Sequence, residues 1–547
     1  MSVPATEPVA AVTGVRGGDL FEVVDGRMSD AEVGRAVWAV LRGTGADVED
    51  RGSGNITARI GGLRLDVRTR PLADTGPDTL DPVVPSPERR RVLLTASGPV
   101  SEEARSVFDR VVRTLVRKGR CYTDAEIDSI VRAMPLVARY SGPEPALSDW
   151  ALVFRDHYVE NSIGFLLGME RAGIDRDWIF ALSKGDRTLH RDRVHAWFLE
   201  RGYRSDVLDN SVINGTADEA ARARALGVSE RVDEFIRRAH EAGRKVLVVD
   251  DGGLLAQGSG ARDRGAARID AAVELTVSGL KRIAEAPGEL AVPVLNVARS
   301  RLKTMLGYNE IADSCVRRLR AILPGEKFIG RRVLVLGFGT LGARVAHLLR
   351  SLGCRVGVVD TDVLALITAA EHGFEAFPTA AEGLSAHTPF LVVGDTGELA
   401  LTGEDLPLLP DGVHLAGFAT KDFSLLSEGL SGLEATTVPS VGVRYTLPSG
   451  GTATLLGDGR SLNLFEYEGI PNRGYDAYRA GTLIAAKELC RNADAFTPGV
   501  HLDPVDRAID DAGLFSAYYE EYLAGPRRPP AAPAPSGPAG AAGAAGR

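Results

Sequence analysis

The stretch Gly330–Asp362, GRRVLVLGFGTLGARVAHLLRSLGCRVGVVDTD, decides the fold of this chain. Val333–Leu336 is a short apolar run. It is followed by Gly337, Gly339 and Gly342 in G-x-G-x-x-G spacing, with Phe338, Thr340 and Leu341 between them, and then by an amphipathic run ending at Gly353. The pattern predicts strand, tight turn and helix. The first glycine lets the chain turn, the second lets backbone approach a pyrophosphate, and the third lets helix pack on strand. A phosphate then sits at the helix N-terminus. A second apolar run, Arg355–Val359, ends in Asp360, about 20 residues on, where a carboxylate accepts hydrogen bonds from ribose hydroxyls. An acid there repels a 2′-phosphate, so the expected cofactor is NAD and not NADP. A glycine-rich turn inside a buried βα unit is the competing reading. Two strands, a helix and an acid in one register favour the dinucleotide site.

Working outward, the downstream sequence continues this unit: helix Val363–His372, strand Phe390–Gly394, a loop with Thr396 and Gly397, strand Val413–Ala416, and a hairpin over Gly442–Leu456 around Pro448–Gly451. Upstream, apolar strands at Trp178–Leu182 and Lys245–Val249 alternate with helices at Arg191–Arg201 and Glu230–Gly243. Ala272–Ile283 reads as a further helix, Val292–Val297 as a strand, and Tyr308–Ile322 as the connecting helix. Such alternation implies a parallel sheet covered on both faces. Before residue 146 the texture differs. It offers a serine-capped helix Ser29–Leu41, a hairpin over Asn55–Thr69 about Gly61-Gly62, a strand Arg91–Thr95 and helices Ser101–Val116 and Thr123–Met134. Arg89–Arg91 read as a solvated face. The expected fold class is α/β, with two Rossmann-like domains and a small α+β N-terminal domain. The expected divisions are 1–145, a unit of unknown role; 146–310, a substrate domain completed by a final helix Gly474–Leu489 within about 470–524; 311–469, the NAD domain; and a disordered Pro/Ala/Gly tail, 525–547.

Composition narrows the class further. With 44% hydrophobic and 25% charged residues over 547 positions, the chain can bury several cores. A net charge of −9 provides no global attraction to nucleic acid or anionic lipid. No apolar run approaches the ~18 residues of a spanning helix, and the N-terminus lacks a signal-peptide pattern, so a cytoplasmic protein is expected. Cys121, Cys315, Cys354 and Cys490 are scattered, which implies reduced packing thiols and neither a disulfide framework nor a metal site.

Several segments, in order, resemble the S-adenosylhomocysteine hydrolase (adenosylhomocysteinase) family. VLVVDDGGLL (Val246–Leu255) resembles its strand-end DDGG motif, AAVELTVSG (Ala271–Gly279) its acid-plus-threonine stretch, and VPVLNVARSRLKTMLGYNE (Val292–Glu310) its PxINVxxSxxK segment. DTDVLALITAAEHGFEAF (Asp360–Phe377), RYTLPSGGTATLLGDGRSLNL (Arg444–Leu464) and PGVHLDP (Pro498–Pro504) match further family segments, so the resemblance covers roughly residues 150–520. It implies bound NAD, oxidation of a ribose 3′-hydroxyl, elimination of a 5′ thiol, water addition and return of the hydride. It also implies a small nucleoside-like substrate and a homo-oligomer, and no nucleic-acid or membrane partner.

Carried over residue by residue, the resemblance makes Asp251 the catalytic aspartate and Lys303 the lysine that helps deprotonate the hydroxyl. It makes Thr276 and Ser278 cofactor-touching residues, and Asn463 a neighbour of the nicotinamide. Glu160, within HYVEN, corresponds to an adenine-site glutamate when a gap is allowed. The chain departs from the family elsewhere. Phe418 and Ile470 stand where the family has histidines, Leu275 replaces a substrate-binding glutamate, and Gly307 replaces an acid, with Asn309 close by. The family's C-terminal Lys/Tyr tail is absent as well. The NAD site is therefore expected to be retained and the substrate pocket rebuilt, and whether elimination and hydrolysis persist is left open. A cofactor-bound pseudoenzyme or regulator is one alternative, against which Lys303 and Asp251 argue. A 2-hydroxy-acid-type NAD dehydrogenase is the other, and it leaves DDGG and PVLNV unexplained.

Overall fold

The computed structural model describes residues 14–16, 19–28, 30–52, 54–73, 85–209, 219–253, 268–286, 288–419 and 421–524. The expected N-terminal arm in large part, the Ser29 cap, Leu254-Leu255 of the DDGG segment and the Pro/Ala/Gly tail lie outside the described residues.

Three sheets organise the chain. The first is antiparallel and is made of β1 (Gly14–Arg16), β2 (Asp19–Arg27), β3 (Asp47–Asp50), β4 (Ile56–Ile60), β5 (Leu63–Ala73) and β6 (Pro85–Ser97), in the order β1-β2-β6-β5-β4-β3. Its period-2 pattern turns Val24, Leu65, Val67, Val92 and Leu94 to one face. There they pack against Val33 and Val37 of helix Asp30–Leu41 and Val107, Phe108 and Val111 of helix Glu102–Arg120. Ser101 caps the second helix by accepting from Ala104 N. Thr123 and Glu126 form a reciprocal capping box at the start of helix Asp124–Arg132.

The second sheet is parallel, with β7 (Trp150–Asp156), β8 (Ile179–Ser183), β9 (Arg204–Val207), β10 (Lys245–Asp250), β11 (Ala271–Glu274) and β12 (Pro293–Asn296) in the order β12-β11-β10-β7-β8-β9. Ala271–Glu274 corrects the sequence reading, which placed Ala272 inside a helix. These four residues are all buried in the sheet centre, so they show no polar alternation, and the helix begins only at Val277, where Thr276 caps it. The preceding helix is also longer than its apolar pattern suggested, running Glu219–Glu241.

Helix Tyr308–Ile322 carries the chain into the third sheet: β13 (Arg332–Leu336), β14 (Arg355–Val359), β15 (Glu375–Phe377), β16 (Leu391–Gly394), β17 (Val413–Gly417), β18 (Ala435–Val438), β19 (Gly442–Thr446) and β20 (Thr452–Leu456). Their order is β15-β14-β13-β16-β17-β20-β19-β18, parallel as far as β20 and antiparallel beyond it. The order reverses between β13 and β16, so the crevice outside their carboxyl ends is the topological position for a ligand. The chain then returns along helix Asn472–Arg491, most of which is buried against the second sheet's core, adds β21 (Gly499–His501) beside β12, and continues into helices Asp503–Asp511 and Leu514–Tyr518. Among the described residues, no helix is long and apolar enough to cross a membrane.

Candidate active site

Two groups of residues lie at strand ends of the second and third sheets, linked where Arg344 of the helix after the glycine turn donates to the carbonyl of Thr304, the residue after Lys303. The first is the glycine turn after β13. Gly337 has φ +96°, and a Cβ there would lie 3.0 Å from the Asp395 carbonyl; a Cβ on Gly342 would fall 2.0 Å from the Gly337 oxygen. Both positions require glycine for close packing of turn on helix. Gly339 differs, because a Cβ there would meet nothing within 4 Å. Its backbone faces open space at the N-terminus of helix Thr340–Ser351, where N–H groups are free to bind an anion. At the end of β14 the Asp360 carboxylate accepts from the Phe338 N–H at 2.6 Å, which ties the acid to the turn. The Thr396 and Gly397 N–H groups donate to Asp422 at 2.8 and 3.1 Å, fixing the loop after β16. Asn463 is buried and accepts from Ser461 Oγ at 2.8 Å. These residues fit a dinucleotide: a turn with one uncrowded glycine, helix N–H groups, and an acid at the second strand end. Gly337, Phe338, Gly339, Thr340, Leu341, Gly342 and Asp360 would hold it, with the Thr396-Gly397 loop alongside.

The second group lies at the carboxyl ends of β7, β8 and β10, which are hydrogen-bonded neighbours. Asp250 ends β10, and Asp251-Gly252-Gly253 follow it. Gly252 has φ +139°, and a Cβ there would lie 2.8 Å from the Arg155 guanidinium. A Cβ on Gly253, at φ +69°, would lie 2.4 Å from the Gly279 oxygen. The glycine pair thus lets the acidic turn close over a buried arginine, which donates to the Asp251 carbonyl at 2.9 Å and to the Asp250 carboxylate at 3.3 Å. Asp251 itself is ion-paired with Lys184, and His157 Nε2 stands 3.9 Å away. Burial would raise its pKa, but Lys184, His157 and Lys303 together hold the carboxyl below the usual range.

Lys303 begins a single π-helical turn, Lys303–Gly307, and is 5% exposed. Its Nζ lies 3.3 Å from the Tyr475 and Tyr478 hydroxyls and 4.3 Å from the centre of the Tyr478 ring. A Cβ on Gly307 would come within 3.1 Å of the Lys303 side chain, so a glycine here gives the lysine room. Burial lowers the ammonium pKa to about 8, against the pull of Asp251 and Asp156. Glu274 accepts from Thr276 N and Oγ1 at 2.7 Å, and burial followed by Asp250 pushes its pKa well above the usual value.

The predicted residues are only partly brought together. Asp251 and Lys303 share one cluster. Thr276 is occupied with its helix cap, with Ser278 Oγ donating to it at 3.3 Å. Glu160 lies apart, receiving Asn472 Nδ2 at 3.1 Å with His190 4.0 Å away. Asn309 is exposed, accepting from Arg344 of the helix after the glycine turn, so it braces the two units and does not line the cluster. Phe418 and Leu275 are core residues, and the Ile470 carbonyl accepts from Asn161 at 3.0 Å. The sequence reading missed His157, Lys184, Asp186, Tyr475, Tyr478 and Arg479. Adjacent parallel strands ending in Asp-His, Ser-Lys-Gly-Asp and Asp-Asp were the available signal. Asp156, His157 and Asp251 are close enough together to hold a cation, but Arg479 and Lys184 already provide the countercharge.

A dinucleotide turn at a switch point, together with a buried lysine–aspartate cluster at the strand ends of a second parallel sheet, defines an NAD-binding α/β protein of two Rossmann-like units. Residues 307–468 match the family of the S-adenosyl-L-homocysteine hydrolase NAD binding domain. Over these residues the chain is similar to S-adenosylhomocysteine hydrolases, and NAD is its cofactor. It is 28% identical to the adenosylhomocysteinase of Gloeothece citriformis over 271 residues, 48% of this chain and 61% of that protein. It is likewise 28% identical to the adenosylhomocysteinase of Thermotoga maritima over 328 residues, 55% of this chain and 78% of that protein. It is 27% identical to the S-inosyl-L-homocysteine hydrolase of Methanopyrus kandleri over 264 residues, 46% of this chain and 60% of that protein. The match thus spans less than two thirds of the Gloeothece and Methanopyrus relatives.

Proposed function

We propose that this protein is an NAD-dependent, adenosylhomocysteinase-like enzyme that oxidises a ribose-type secondary hydroxyl of a nucleoside-like substrate. The observation that carries this reading is Lys303, a buried amine whose pKa of about 8 makes it a base near neutral pH, in one cluster with Asp251 and next to Thr304, whose carbonyl accepts from Arg344 of the helix after the dinucleotide turn. Neutral Lys303 takes the proton from the reacting hydroxyl at Nζ, and the Tyr475 and Tyr478 hydroxyls hold that nitrogen in place. Asp251, kept ionised by Lys184, accepts a hydrogen bond from a neighbouring substrate hydroxyl and orients the sugar. Bound NAD⁺ supplies the hydride acceptor.

The second half of the family's reaction needs groups that move protons to a leaving thiol and from a water. Phe418 and Ile470 cannot do this; His157, 3.9 Å from Asp251, is the imidazole at the cluster. Each general acid or base is worth about 10²–10⁴-fold in rate, so hydrolysis of S-adenosylhomocysteine is expected to be slow relative to hydroxyl oxidation. The test is to release and identify the nucleotide from purified protein, then to add adenosine or S-adenosylhomocysteine and follow NADH absorbance. Reduction without release of homocysteine supports the reading. Bound NAD that neither nucleoside reduces rejects it.

A further inference from the structure

Arg460 follows β20 in the NAD domain, yet its guanidinium lies on the other domain. It donates to Asp186 at 3.2 Å, to Asp209 at 2.6 Å and to the Lys184 carbonyl at 3.3 Å. The other oxygen of Asp186 is hydrogen-bonded to His157 Nδ1. The docking is reinforced nearby, where Glu466 N donates to the Arg187 carbonyl at 2.7 Å, Leu189 N donates to the Tyr467 carbonyl at 3.0 Å, and Arg187 pairs with Glu466. Asp186 is buried, and His157, Arg460 and Lys184 hold its carboxyl below the usual range against that burial, so it is ionised and can only accept. Nδ1 of His157 therefore carries a proton, and Nε2 is the nitrogen turned toward Asp251.

We propose that Arg460 is a positioning residue acting across the domain seam: by sharing Asp186 with His157, it sets the orientation and tautomer of the imidazole when the NAD domain is docked. The proposal rests on the reading of the Asp251–Lys303 cluster as the substrate site. The charged groups facing His157 are Asp156 at the end of β7, itself paired with Arg479 of helix Asn472–Arg491, Asp186 and Lys184 from the segment after β8, Asp251 from the end of β10, and Arg460, through Asp186, from the NAD domain.

The test is ¹⁵N NMR, at one fixed pH, of ring-labelled histidine in NAD-saturated full-length protein, with the His157 signals assigned by their loss in His157→Gln. The parent should show the Nδ1–H tautomer facing Asp186, and Asp186→Asn, which removes the carboxylate partner, should lose that preference. Arg460→Gln releases Asp186 from the NAD domain and should move the His157 ring ¹⁵N signals, with Arg460→Lys in between. Ring signals that stay at the parent positions in Arg460→Gln, in protein whose melting shows it folded, overturn the proposal. If Arg460→Gln does not fold, Arg460→Lys decides in the same way. The readout needs no turnover, so failure to oxidise any nucleoside with these shifts intact would sink the substrate-site reading and leave the cross-domain coupling standing.

Discussion

The Nζ of Lys303 lies over the ring of Tyr478, 4.3 Å from its centre and 3.3 Å from its hydroxyl, and that hydroxyl lies 3.2 Å from the Leu275 carbonyl. A cation above an aromatic face gains some stabilisation, yet burial dominates and the ammonium is easier to deprotonate than in water. The sign for stability follows. With a folded pKa of about 8 below the unfolded 10.5, the buried charge costs stability below pH 8, and stability recovers as pH rises from about 8 toward 10.5.

For activity, the rate of NAD reduction should rise with pH through a midpoint near 8, the value for Lys303. Lys303→Met should remove that limb and lower the reduction rate by about 10²–10⁴-fold. Stopped-flow absorbance across pH measures both. A pH-independent rate would remove Lys303 from the role of base.

The glycine turn separates folding from binding. Gly339→Ala places a methyl where nothing lies within 4 Å, so its melting temperature should stay within a few degrees of the parent, while the methyl stands where a pyrophosphate approaches and NAD affinity should fall at least tenfold, about 1.4 kcal/mol. Gly342→Ala forces a contact at 2.0 Å with the Gly337 oxygen and should destabilise the protein by about 1–3 kcal/mol. Calorimetry on both variants decides. Similar melting losses in the two would contradict the assignment.

Asp360 should make the protein favour NAD over NADP by at least tenfold, because the 2′-phosphate would meet a carboxylate. Asp360→Ser should narrow that preference. Titration of nucleotide-free protein with each cofactor provides the comparison, and an unchanged ratio would assign discrimination elsewhere.

Lys184→Met should cost about 3–5 kcal/mol in denaturant unfolding, because it leaves the buried Asp251 carboxylate without its cation. The double variant Lys184→Met with Asp251→Asn should recover part of the loss. For Asp251 the folded pKa is depressed, so its contribution is present above the ordinary carboxylate range and is lost as pH falls below it. An additive double mutant would show that the two residues are not paired in solution.

What could be read from residues alone was local. Gly337, Gly339 and Gly342 between two apolar runs, the Asp360 strand end, the helix Tyr308–Ile322 and the Gly61-Gly62 hairpin are patterns within some 30 residues, and short-range sterics and periodicity decide them. Ala271–Glu274 was misread because a four-residue strand buried on both faces carries no alternation, and only its neighbours β10 and β12 make it a strand. The charged cluster of the second sheet was legible only at Asp251 and Lys303, through resemblance. His157, Lys184, Tyr475, Tyr478 and Arg479 come from three places up to 322 residues apart, and each is by itself an ordinary residue in its own segment. By itself the sequence determined an NAD-binding Rossmann unit and a second parallel sheet, since hydrophobic periodicity and glycine sterics act along the chain. The tertiary structure alone decided which charges share a low-dielectric pocket, and with them the pairing of Asp251 with Lys184, the lowered pKa of Lys303 and the reach of Arg460 across the seam, because burial and Coulomb interactions depend on distance in space.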